Sequence, residues 1–192
     1  MPKYDPQVVR RGERSRLNLG YVNKFLAAFR RASRAQRLSG LSWYHRARQD
    51  INTLSADLGL PPRHVAYAVA ALSAQMQWSR NLEVVRDLAN GLDALGMRGP
   101  VEQARACLHG DLSALSGAKV TAFAFALCGD SSAAVIDRWM MRALLGTNTK
   151  KVSPTQRQYG VITKALKVAA RMSGLTTSQF QAVVWLQVRG TQ

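Results

Sequence analysis

Apolar residues in this chain recur at helical spacing from end to end, and the strict apolar–polar alternation of a half-buried strand is scarce. Such a chain can bury its side chains only by packing helix on helix, so an all-α fold is expected. Val22, Phe25, Leu26 and Phe29 form one stripe, with Lys24, Arg30, Arg31 and Arg34 on the remaining surface. Ser42 is placed to cap a helix from Trp43 to Leu58 that Gly59 stops. Pro61-Pro62 opens another, with Val65, Val69, Leu72 and Met76 on one face. Ser79 is expected to cap a third helix, running towards Leu95-Gly96, and Gly99-Pro100 to begin a short one ending near His109-Gly110. Further helices are expected from Lys119 to Gly129, from Asp137 to Leu145 with Gly146 as stop, from Ser153-Pro154 to Met172, and after Thr176-Thr177-Ser178.

With 192 residues, 47% of them hydrophobic, the chain is long enough for a single domain with a substantial core. The expected organisation is a basic arm over residues 1–16 followed by one all-α domain over 17–192. Cys107 and Cys128 have no CxxC or Cys/His partner spacing, and His45, His64 and His109 form no ligand cluster, so no metal and no cofactor is expected. Both cysteines read as reduced core thiols. The first residues contain no apolar signal region, and no later apolar run approaches the ~18 residues of a membrane span, so a cytoplasmic monomer without a membrane partner is expected.

The net charge of +16 is unevenly placed. Residues 1–48 carry +10, residues 49–137 carry −3, and residues 138–192 carry +9 with no acid at all. Basic ends around a mildly acidic middle suit a polyanion, and nucleic acid is the commonest such partner. Lys164, Lys167 and Arg171 make a basic helical face opposite Ile162, Leu166 and Ala169, suited to tracking phosphates or simply to solvation.

Two charges stand out because their surroundings are apolar. Lys119 opens the apolar segment to Leu127, and eighteen residues later Asp137 is the only acid in Val135-Ile136-Asp137-Arg138-Trp139. A lysine in the first turn of a buried helix meets desolvation and the positive end of the backbone dipole, and both favour a neutral, nucleophilic amine. With a carboxylate to assist, such an amine suits attack on an electrophilic carbon. Simpler readings stay open: Asp137 as a helix cap, Lys119 as a snorkelling surface cation.

The stretch Leu115-Ser116-Gly117-Ala118-Lys119, followed by Val135-Ile136-Asp137-Arg138-Trp139-Met140-Met141-Arg142, resembles the helix-hairpin-helix DNA glycosylases of the endonuclease III and 8-oxoguanine glycosylase type. Upstream, Ala71-Leu72-Ser73-Ala74-Gln75 is similar to the Leu-Leu-Ser-Ala-Gln segment of those enzymes. The likeness spans roughly residues 65–145, and the layout also resembles small glycosylase-like proteins of bacteriophages, for which the compartment would be the host cytoplasm. The hairpin is shortened to Leu-x-Gly-x-Lys. The resemblance implies a compact multi-helix glycosylase-like bundle in which Lys119 is the Schiff-base lysine, Asp137 the essential aspartate and Gln75 the glutamine beside the extruded nucleotide. Gly117 belongs to the hairpin. Ser73, Trp78, Asn81, Arg138 and Trp139 complete the expected base pocket and DNA contacts, with Lys164, Lys167 and Arg171 on the phosphates.

The expected function is that of a DNA glycosylase, with or without abasic-site lyase activity, acting on a modified or damaged base flipped out of double-stranded DNA. Two other readings remain: a glycosylase-fold enzyme that modifies a modified pyrimidine in phage DNA, and a non-catalytic basic DNA-binding protein.

Overall fold

The computed structural model describes residues 17–74, 76–93, 97–146 and 153–190. Among them the protein is all-α, with no strand. The helices are α1 (Leu19–Arg31), α2 (Arg34–Leu58), α3 (Pro62–Leu72), α4 (Trp78–Ala89), α5 (Arg98–Leu108), α6 (Ala118–Leu127), α7 (Arg138–Leu145), α8 (Gln156–Met172) and α9 (Thr177–Arg189), with a single 3₁₀ turn at Leu112–Ala114. Two compact units emerge. The first is Arg46–Gly129, and the second joins the described residues up to His45 to those from Asp130 onward. Helix α2 contributes residues to both.

The first unit is organised around α3, whose residues Val65 to Leu72 are all buried. A helix apolar on every side belongs in the middle of its neighbours, and α3 packs against α4, α5 and α6. Its four alanines let those neighbours approach closely. Pro62 supplies the preset φ of a first helical turn. The helix ends at Leu72, so Met76 lies beyond it and not on the face with Val65 and Val69.

The second unit packs α1, α7, α8 and α9 around Phe25, Ile136, Met140, Leu144, Ile162, Leu166, Phe180 and Val184. Each such side chain stabilises the fold by roughly 1.5–3 kcal/mol relative to exposure. Phe29 stacks on Phe180 with ring centroids 4.9 Å apart. Capping boxes begin the last two helices, Thr155 with Gln158 and Thr176 with Gln179, so α8 starts at Gln156 and not at Ser153-Pro154.

Two other starts differ from the sequence expectation. Helix α2 begins at Arg34, not after Ser42: Ser33 Oγ accepts from Gln36 N (3.2 Å) and Gln36 Oε1 accepts from Ser33 N (2.9 Å), a reciprocal cap upstream of the expected one. Ser42 instead bonds back to the Leu38 carbonyl. Gly40 does not break this helix because α9 lies against it, where Val183 fills the space of the absent side chain. Helix α4 begins at Trp78, with Gln77 and not Ser79 at the cap position.

Candidate functional site

In the first unit the chain leaves α5, passes His109-Gly110 and the 3₁₀ turn, and enters α6 through Leu115-Ser116-Gly117. Gly117 occupies the cap position at φ +98°, a backbone state that side-chain-bearing residues rarely adopt. Gln103 on α5 donates to Ser116 Oγ over 3.0 Å, tying the hairpin to the preceding helix. Residues 109–117, with the 3₁₀ turn among them, thus connect α5 to α6. Lys119 then sits half-buried in the first turn of α6, and its Nζ donates to Ser73 Oγ at 3.4 Å. Ser73 is the C-terminal cap residue of α3. The structure therefore brings together two of the residues singled out in sequence, forty-six positions apart.

Trp78 and Asn81, also singled out, lie on α4. The Trp78 indole N–H donates to Asp50 Oδ2 over 2.7 Å. Asn81 is buried, and its Nδ2 donates to the Val69 carbonyl at 2.9 Å, so this amide joins α4 to α3. Gln75 and the basic arm over residues 1–16 lie outside the described residues.

Asp137 belongs to the second unit. Its Oδ1 accepts from the backbone N–H of Trp139 (2.9 Å) and of Met140 (3.0 Å), capping α7. Its Oδ2 accepts from the Trp185 indole N–H at 2.9 Å. The carboxylate is thus oriented by three donors on two helices. The segment leading to it is fixed as well: Tyr159 Oη donates to the Ala134 carbonyl (2.8 Å) and accepts from Ile136 N (3.2 Å).

Aromatic side chains surround this carboxylate. Trp43 meets Tyr44 edge-on at 4.7 Å and Trp185 at 6.5 Å between ring centroids, while Tyr44 Oη donates to the buried Gln181 Oε1 over 2.8 Å. Burial first, and then the charge of Asp137, pushes the Tyr44 hydroxyl far above its usual range. Burial, aided by the same charge, raises Tyr159 to about 12. Arg142 lies 4.4 Å and Arg138 5.9 Å from the Trp139 ring centre, and Arg189 lies 4.6 Å from that of Trp185. These are cation–π distances.

Trp185, Tyr159, Tyr44 and Gln181 serve Asp137 and its surroundings, yet nothing local in the sequence marks them. On α8, Lys164, Lys167 and Arg171 face away from Ile162, Leu166 and Ala169, which are buried.

The thiols differ from the sequence expectation. Cys107 is buried, and burial, with Asp111, raises it to about 11, but Cys128 is exposed at the end of α6 and is not a core thiol. Among the described residues no three His, Cys, Asp or Glu side chains cluster as metal ligands. No helix among them is long and apolar enough to cross a membrane.

No curated protein and no solved structure matches the chain. One family does, over residues 10–192. A match of that extent places this chain in the family described as "Family of unknown function (DUF7178)", to which it belongs.

Proposed function

We propose that the protein is a DNA glycosylase, acting as a monomer in the cytoplasm on a modified or damaged nucleotide turned out of duplex DNA. The observation that carries this reading is the state of Asp137: an aspartate at a helix start whose carboxylate is held by two backbone amides and an indole. Cleavage of an N-glycosidic bond builds positive charge on C1′ and the ring oxygen, and a fixed carboxylate stabilises that charge without reorganising. The motif resemblance gives Lys119 the second role. Its amine attacks C1′ as the base departs with the bonding electrons and takes up a proton; the C1′–O4′ bond then opens, O4′ taking the amine's proton, to give the imine, and loss of a C2′ proton expels the 3′ phosphate and cuts the strand. Lys119's place in the first turn after the Gly117 hairpin, beside Ser73, supports that role.

Borohydride added during incubation with abasic-site DNA reduces such an imine to a stable protein–DNA adduct. The adduct should form with the native protein and disappear with Lys119→Ala. An adduct that survives the substitution, or none at all, removes the lyase step and leaves water as the nucleophile.

A further inference from the structure

We propose that the protein holds the DNA backbone through its second unit, along the outward face of α8 formed by Arg157, Lys164, Lys167 and Arg171, and not through the cations of its first unit. The choice of duplex DNA as the polyanion rests on the glycosylase reading. The location of the grip does not.

The two units use their charges differently. Arg46–Gly129 contains eight Lys/Arg and seven Asp/Glu. Arg80, Arg86, Arg98 and Arg105 in this unit are paired with Glu83, Asp57, Glu102 and Asp93 at 2.7–2.9 Å. The described residues of the second unit contain twelve Lys/Arg and only Asp130 and Asp137. Asp137 is taken by Trp185 and the α7 amides, and Asp130 Oδ1 accepts from Ser132 N. No acid stands within α1, α7, α8 or α9.

Some of those cations have structural work. Arg37 donates to the carbonyls of Ala32, Phe29 and Arg30, and Arg142 and Arg189 lie over tryptophan rings. The α8 cations form a stripe in which Arg157 and Arg171 are exposed and Lys164 and Lys167 half-buried. Positions 157, 164, 167 and 171 fall on one helical stripe, opposite the buried Ile162, Ala165, Leu166 and Ala169. At 1.5 Å per residue the stripe is about 21 Å long. Duplex DNA presents one phosphate charge per ~1.7 Å of axis, so the stripe runs past about a dozen of them. Like charges three and four apart on a helix repel one another, a cost that a polyanion along the stripe reverses. A lipid surface fits less well: a helix lying in a membrane interface must offer its apolar face to acyl chains, and that of α8 is buried in its own unit.

Titrating a fluorescent DNA duplex at several salt concentrations tests this. Each lost phosphate contact lowers the slope of log K against log salt by about 0.9. The variant Arg157→Gln/Lys167→Gln/Arg171→Gln should therefore lose roughly 2 to 3 from the slope and bind at least about tenfold more weakly. Arg80→Gln/Arg86→Gln/Arg98→Gln should keep the native slope, and circular dichroism melts show that each variant folds. An unchanged slope in the α8 variant, or an equal loss in the first-unit variant, overturns the proposal. So does equally tight binding to polyglutamate or to anionic vesicles. Base release with an unchanged α8 slope rejects this grip and leaves the glycosylase reading. A lowered slope with no base release does the reverse.

Discussion

Trp185 donates its indole N–H to Asp137 Oδ2 across 2.9 Å, joining the last described helix to the carboxylate that starts α7. A hydrogen bond to a charged acceptor contributes about 1.5–3 kcal/mol, and a lost N-terminal cap about 0.5–2 kcal/mol. Trp185→Phe should therefore destabilise the protein by a few kcal/mol in urea unfolding. In an Asp137→Ala background the same substitution should cost clearly less, because the bond is already absent. Equal costs in both backgrounds would show that the contact contributes nothing.

Gly40 tests the packing that allows α2 to continue through a glycine. A Cβ there would stand 2.6–2.7 Å from Val183, including its backbone N and Cα, which cannot swing away. Gly40→Ala should lose about 1–3 kcal/mol or more by thermal melting, as overpacked sites do. Gly99→Ala on α5, where no atom lies within 4 Å, should be neutral or slightly stabilising.

Alkaline pH should weaken the fold. Tyr159 rises from 10.0 to about 12 and Cys107 from 9.0 to about 11, both chiefly through burial, and Tyr44 moves in the same direction. A folded-state pKa above the unfolded one means that the native state holds its proton longer. Its contribution is complete below the unfolded pKa and is lost as pH rises through the folded one. Urea midpoints should therefore fall between pH 9 and 12. Cys107→Ala should remove the part of that fall that begins near pH 9. A midpoint constant over this window would contradict the burial of these groups.

The helical class was legible because apolar spacing and stop glycines are local signals. Gly146 does end α7 in a left-handed turn, and Pro62 does open α3. Boundaries failed where two signals competed. Ser42 looked like a cap, but Ser33-x-x-Gln36 is an earlier and complete capping box, and Gly40, inside the helix, packs against Val183 from far along the chain. Around the candidate residues the same division holds. Lys119, Ser73, Gly117 and Asp137 could be selected because each stands in a recognisable local pattern. The partners of Asp137 could not: Trp185 lies forty-eight residues away, and Tyr159 acts on a backbone segment more than twenty residues before it.

The most direct measurement of the central claim is mass spectrometry of the free bases released from duplexes carrying uracil, 8-oxoguanine, hydroxymethyluracil or an alkylated purine. The native protein should release a free base from at least one of them, and Asp137→Asn, which keeps a side-chain oxygen for the cap but removes the charge, should slow that release by 10²-fold or more, roughly the effect of losing one preorganised electrostatic contact. No free base from any of these duplexes, or release that Asp137→Asn leaves unchanged, would contradict the account.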